Sequence, residues 1–131
     1  MSASSNSVKV LVIEDNRDFA YLLCLALRQL GHDVDSVNNG TDGIEKAREM
    51  KPDIIFCDIG LPGLTGFEVA RMIKDDASVK DAYMIALTGY ASLSDKSQTL
   101  QSGFNKHLSK PVSLADLVKV LNEVPALSQG F

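Results

Sequence analysis

Three carboxylate side chains follow short apolar segments of the sequence. Glu14 and Asp15 come directly after VKVLVI, and Asp58 ends DIIFCD. If these two segments are neighbouring strands of one sheet, about 4.8 Å apart, the three carboxylates converge on one small volume. Crowded carboxylates repel one another and resist ionising together unless a cation joins them. The cluster therefore predicts a site for a hard divalent ion with oxygen ligands, for which Mg²⁺ is the first choice and Mn²⁺ a substitute.

Two other polar residues stand at comparable places further along the chain. Thr88 ends the apolar segment AYMIALT, and Lys110 lies just beyond FNKHLS. Taken alone, Thr88 is typical of any strand and Lys110 of any solvated surface. They gain interest only if the fold brings the ends of these segments to the edge that carries the acids.

The elements that would do so are five short apolar segments, each followed by an amphipathic one. Asn16 is suited to cap the first helix and Gly31 to end it. This repeated pattern predicts one α/β domain, a doubly wound five-stranded parallel sheet of order 2-1-3-4-5 with helices on both faces, as in flavodoxin-like folds. Such sheets bind ligands beyond the carboxyl ends of their strands. The predicted strands are 8–13, 33–37, 53–58, 82–88 and 104–109, and the helices after the first are 41–50, 67–75, 92–102 and 113–124.

Composition excludes several classes of protein. The chain has 131 residues, of which 45% are hydrophobic and 23% charged, and its formal charge is −4. This acidic balance argues against direct binding of nucleic acid. The longest apolar run, Phe19 to Leu27, is far shorter than the roughly 20 residues that span a bilayer, and the N-terminus does not resemble a signal peptide. We expect a cytoplasmic protein without membrane contact, in which Cys24 and Cys57 are buried free thiols.

The loop after the first strand excludes common phosphate-binding proteins of similar architecture. P-loop and flavodoxin-like proteins bind a phosphate there through glycines and backbone amides. This loop reads EDNRD, which would repel an anion, and the sequence contains no GxxxxGK[ST] motif. Nucleotide hydrolysis of the P-loop kind is therefore not expected.

Four motifs, taken together, resemble a known family. They are ED after the first strand, DIGLPGLTGFE around Asp58, TG after the fourth strand, and GFNKHLSKPV at the fifth. In this order they are similar to the CheY-like receiver domain of response regulators in two-component systems. The resemblance covers residues 8–124, which leaves 1–7 as a flexible N-terminal segment and 125–131 as a C-terminal tail.

The resemblance implies a phosphoryl-transfer site. Asp58 would be the phosphoacceptor, which attacks a phosphohistidine on a partner to form an acyl phosphate. Asp15 and Asp58 would ligate Mg²⁺ directly, Glu14 would act mainly through a water, and Gly60 would contribute its backbone carbonyl. The chain would thus be a signalling switch that assists its own phosphorylation and dephosphorylation, rather than an enzyme acting on another substrate.

The resemblance also implies which residues bind the phosphoryl group and which residues change conformation on phosphorylation. Thr88 would bind one phosphoryl oxygen and Lys110 another, and the bond between Lys110 and Pro111 would be cis. On phosphorylation Thr88 would shift, and the side chain three residues before the lysine would turn inward. That residue is His107 here, where the family has an aromatic side chain, and packing on the strand is an equally good interpretation of it.

The implied partners are a histidine kinase or histidine phosphotransfer protein and a downstream protein target. The chain would be a monomer or a phosphorylation-dependent dimer, and either a free-standing regulator or a receiver excised from a hybrid kinase. Two other functions remain open. One is a receiver-like adaptor that never takes phosphate. The other is a Mg²⁺-dependent phosphatase with an aspartyl nucleophile, which is disfavoured because Gly60 stands where the haloacid-dehalogenase-like group has a second aspartate.

Overall fold

A computed structural model describes residues 7–89 and 101–128. Its five parallel strands form one sheet of order β2-β1-β3-β4-β5, as the sequence predicted. The predicted helix 92–102 lies almost wholly outside the described residues, as do residues 1–6 and 129–131. The elements are β1 (Lys9–Ile13), α1 (Arg17–Gln29), β2 (Asp33–Val37), α2 (Gly40–Met50), β3 (Ile54–Asp58), α3 (Gly66–Lys74), β4 (Tyr83–Thr88), β5 (Lys106–Ser109), α4 (Leu114–Asn122) and α5 (Pro125–Ser128).

The sheet separates two apolar cores. Successive residues of a strand point to opposite faces, so Val10 and Val12 of β1 belong to one core while Leu11 and Ile13 belong to the other. Helices α1 and α4 pack on the first face, and α2 and α3 pack on the second. The sequence of β3 is continuously apolar until Asp58, and the strand is buried along its whole length, as expected for a strand covered on both faces.

Side-chain caps determine where the helices that flank the site begin. The Asn16 side chain accepts a hydrogen bond of 3.0 Å from the Phe19 N–H, which confirms the predicted cap of α1. Thr65 and Glu68 form a reciprocal capping box at the start of α3. Gly31, at φ +96°, follows α1 as predicted. Both helices therefore start directly beside the loops that leave β1 and β3.

Both cysteines are in the state that the sequence predicted. Cys24 and Cys57 are buried free thiols. Burial raises the pKa of both thiols, which keeps them protonated and unreactive. Within residues 7–89 and 101–128, no helix is long and apolar enough to cross a membrane.

A short helix lies within the predicted C-terminal tail. Residues 125–128, expected to be part of a tail, form the short helix α5. Leu127 packs against the core under α1 and α4. A proline is suited to begin such a helix because its missing N–H has no partner in the first turn.

His32 makes the stability of the fold depend on pH. Its Nδ1 accepts a 3.3 Å hydrogen bond from the Val8 N–H, and burial lowers the pKa of the imidazole below its ordinary 6.5. Below pH 6.5 the unfolded chain gains a proton that the folded chain resists, so the free energy of unfolding falls as the pH falls.

Above neutral pH, we expect the free energy of unfolding to be about 1 kcal/mol higher for wild type than for His32→Gln. This is the net contribution of a typical hydrogen bond. Urea unfolding of both proteins across the mildly acidic range measures this difference, which should shrink as the pH falls. A difference that stays constant with pH would contradict the prediction.

Candidate functional site

The register of the two central strands brings the predicted carboxylates together. Ile13 of β1 pairs with Cys57 of β3, so the residues that follow them, Glu14 and Asp58, are neighbours at the carboxyl edge of the sheet. One oxygen each of Glu14, Asp15 and Asp58 lies within 4.8 Å of the other two. The backbone N–H of Glu14 donates to Val37 O at the end of β2, which holds this residue in the plane of the sheet. We call these three side chains the acidic cluster.

Lys110 reaches into the acidic cluster from the far side of β4. Its backbone N–H donates a 2.7 Å hydrogen bond to Thr88 O, and the peptide bond to Pro111 is cis, as the family resemblance implied. The ammonium Nζ lies 2.7 Å from Glu14 Oε1 and 3.5 Å from Asp58 Oδ2. The lysine therefore bridges two of the three acids and is closer to Glu14.

Glu14 is a buried acid in an electrostatically unfavourable place. The residue is 1% exposed, and its Oε2 accepts a 3.0 Å hydrogen bond from the Asn16 N–H. Among the described residues, Oε1 has no hydrogen bond of good geometry and only the ion pair with Lys110. Burial raises the pKa of the Glu14 carboxyl, and the charge of Asp58 adds to this, while Lys110 and the Asn16 N–H oppose it. A second cation would relieve this cost.

Asp58 is a buried residue whose carboxylate keeps a small accessible fraction. Its Oδ1 accepts a 2.9 Å hydrogen bond from the Gly60 N–H, and its Oδ2 faces Lys110. The side chain is 11% exposed, at the end of an otherwise apolar strand. The carboxylate is thus held in one orientation by its own loop, with one small face accessible to a reactant.

Thr88 and His107 lie on the two strands beyond Asp58. Thr88 ends β4 and is 2% exposed, and its hydroxyl donates a long 3.5 Å hydrogen bond to Leu108 O. His107 is half-buried on β5, in register with Ala86. The structure therefore places Thr88 at the edge of the site, with its hydroxyl directed to β5.

Two residues of the site were not assigned by sequence reasoning. The ring centroid of Phe19 lies 4.8 Å from Lys110 Nζ, whereas in the sequence Phe19 stood out only as the start of the longest apolar run. Gly66 begins α3 so close to β3 that a Cβ there would lie 2.4 Å from Asp58 O and 2.5 Å from Ile59 Cα. Its place directly before the predicted helix 67–75 was a usable signal for Gly66, but no sequence signal indicated the contact of Phe19 with Lys110.

Comparisons with known proteins give one consistent result. The sequence matches the response regulator receiver domain family over residues 10–122. Protein PilH of Pseudomonas aeruginosa is 35% identical over 118 residues, which are 90% of this chain and 98% of PilH.

Two solved structures share the fold along nearly their whole length. One is the receiver domain of the sensor histidine kinase PA1611 of Pseudomonas aeruginosa, with a magnesium ion coordinated in its active-site cleft. It has a TM-score of 0.83 and 31% identity, and the match covers 90% of this chain and 97% of that one. The other is the Saccharomyces cerevisiae complex of the phosphotransfer protein Ypd1 with the receiver domain of the response regulator Ssk1. It has a TM-score of 0.84 and 31% identity, with 93% and 91% covered. The chain described here belongs to the response regulator receiver domain family and is a receiver domain of two-component signalling.

Proposed function

We propose that this receiver domain takes a phosphoryl group from a phosphohistidine onto Asp58 and thereby switches a surface that a downstream protein reads. The observation that carries the proposal is the meeting of the acidic cluster and Lys110 at one edge of the sheet. The donor would be a histidine kinase or a histidine phosphotransfer protein. The complex of Ypd1 with the Ssk1 receiver supports a partner of the second kind.

The acidic cluster fits a Mg²⁺ ion. Three carboxylates against one ammonium leave two negative charges uncompensated among these four residues. In the described part of the chain, Glu14 Oε1 has no hydrogen-bond partner and only the ion pair with that ammonium. Asp15 and Asp58 would ligate the ion directly, the Gly60 carbonyl would add a ligand, and Glu14 would act mainly through a water. The ion supplies positive charge against the phosphoryl oxygens and lowers the repulsion between nucleophile and donor.

The chain's own groups then position the transfer. A carboxylate oxygen of Asp58 attacks phosphorus, the P–N bond of the phosphohistidine breaks with its electron pair staying on the imidazole, and an acyl phosphate forms. The Gly60 N–H holds the carboxylate in its reactive orientation. Lys110 needs to move only from Glu14 to a phosphoryl oxygen on Asp58, because its ammonium already lies 3.5 Å from Asp58 Oδ2. In-line placement and charge neutralisation of this kind do most of the work in phosphoryl transfer.

The same geometry supports a switch. The hydrogen bond of the Thr88 hydroxyl to Leu108 O is long, so a phosphoryl oxygen on Asp58 would be a better partner for it. Movement of Thr88 would free space next to β5, into which the side chain of His107 would turn. The readout would lie on the surface around β4 and β5, and hydrolysis of the acyl phosphate would reset it.

Phosphorylation by a small donor tests the proposal directly. The full chain is incubated with Mg²⁺ and acetyl phosphate, and its intact mass is measured. We expect a single phosphoryl adduct that depends on Mg²⁺ and disappears when the ion is chelated first. Absence of an adduct at saturating Mg²⁺ would favour an adaptor that never takes phosphate. Sustained release of phosphate from an unrelated phosphomonoester would instead favour a phosphatase.

Removal of Asp15 should weaken the metal site without harming the fold. Asp15 is exposed and contributes a carboxylate to the acidic cluster. We expect Asp15→Ala to lower Mg²⁺ affinity by about an order of magnitude or more, since ligand charge sets the affinity of such sites. Calorimetric titration with Mg²⁺ measures the affinity. The matched control is Asp33→Ala, which removes an exposed acid at the opposite end of the sheet. Equal affinities in the two variants would show that the acids do not form the site.

A further inference from the structure

Lys110 has a third neighbour besides its two acidic partners. The ring of Phe19, from the first turn of α1, lies with its centroid 4.8 Å from Nζ. The aromatic ring is half-buried and packs against the core under α1 and α4, so its position is fixed by that packing. The start of α1 is fixed in turn by the Asn16 cap, whose side-chain oxygen accepts a hydrogen bond from the Phe19 N–H itself. The ammonium thus lies between two carboxylates and one rigid aromatic ring.

The ring attracts the Lys110 ammonium in a way that does not depend on the charges of the neighbouring acids. A lysine ammonium sits at the end of a flexible stem with several rotatable bonds, and its side chain here is 22% exposed. The ammonium lies closer to Glu14 than to Asp58, at 2.7 Å and 3.5 Å. An aromatic face attracts a cation through its quadrupole, which does not change when the charges of neighbouring groups change. When negative charge builds up on a phosphoryl group, the ring still limits how far the ammonium can stray.

We propose that Phe19 is a positioning residue for phosphoryl transfer, which confines the Lys110 ammonium beside Asp58. The inference rests on the proposed role of Asp58 as phosphoacceptor. In this role Phe19 acts through the lysine, whose ammonium lies 4.8 Å from the ring centroid.

Two substitutions at Phe19 distinguish the effect of the aromatic face from the effect of an apolar side chain of similar size. Phe19→Leu keeps an apolar side chain and removes the aromatic face, whereas Phe19→Tyr keeps the face. With acetyl phosphate and saturating Mg²⁺, we expect Phe19→Leu to slow adduct formation about threefold to tenfold, the range for a partly exposed cation–ring contact. Phe19→Tyr should restore the wild-type rate. Leu23→Val is the matched control, because it removes buried volume from the next turn of the same helix without touching a ring contact.

A spectroscopic measurement checks the contact without phosphate. In the wild-type protein the ring current of Phe19 should shift the Cε protons of Lys110 upfield, and the shift should vanish in Phe19→Leu and persist in Phe19→Tyr. An unshifted Lys110 signal in wild type would overturn the inference, as would a wild-type rate in Phe19→Leu. If Phe19→Leu does not fold, Phe19→Met takes its place with the same expectations. A missing adduct on every variant including wild type would refute the proposed function instead, and the Lys110 signal would still decide the contact.

Discussion

Asp58→Asn should take no phosphoryl group while keeping the fold intact. The substituted amide lacks the anionic oxygen that attacks phosphorus, so we expect the adduct to fall below detection. The side-chain oxygen can still accept the hydrogen bond from the Gly60 N–H, and Lys110 keeps its 2.7 Å ion pair with Glu14. One charge also leaves a cluster of three mutually repelling carboxylates, so the free energy of unfolding should be unchanged or slightly raised.

Intact mass after incubation with Mg²⁺ and acetyl phosphate measures the first effect, and urea unfolding measures the second. Asp33→Asn is the control, since it makes the same chemical change at an exposed position on the far end of β2. It should accept phosphate as wild type does. An adduct on Asp58→Asn as abundant as on wild type would show that the phosphoacceptor is another residue.

Gly66→Ala should produce the largest loss of stability near the site. A methyl group at this position would lie 2.4 Å from Asp58 O and 2.5 Å from Ile59 Cα, and these are backbone atoms that cannot rotate away. Either α3 must move off the end of β3 or the loop that carries Gly60 must deform. Overpacking of a tight contact typically costs about 1–3 kcal/mol and occasionally more, and we expect about 3 kcal/mol here because no side chain can yield.

Gly60→Ala provides the comparison within the same loop. Among the described residues, its Cβ would meet only Asp58 Oδ1, at an ordinary 3.5 Å, and the Gly60 backbone N–H and carbonyl would remain. We expect a change in unfolding free energy of less than about 1 kcal/mol. Urea midpoints of both variants and wild type measure the contrast. Equal stability of Gly66→Ala and Gly60→Ala would mean that α3 does not press against β3 as described.

The elements of the fold and the position of the acidic cluster could be predicted from the sequence, because they depend on nearby residues and on simple rules of chain connection. The continuous apolar run before Asp58 indicated a strand buried on both faces, and Asn16 indicated a helix start, because each depends on nearby residues alone. Right-handed crossovers leave few ways to join five such units, so the strand order could also be predicted. Neighbouring parallel strands end at the same edge, and the meeting of Glu14 with Asp58 followed from that rule.

Only the tertiary structure decided which groups touch within that site. Lys110 pairs more closely with Glu14 than with Asp58, and Phe19 supplies a ring to the same ammonium across 91 positions of sequence. Apolar periodicity records the face of a helix that is buried, but it does not record which distant side chain meets each residue on that face. The close approach of Gly66 to β3 depends likewise on how deeply α3 packs into its core. These contacts come from the packing of whole helices against the sheet, to which every buried side chain contributes.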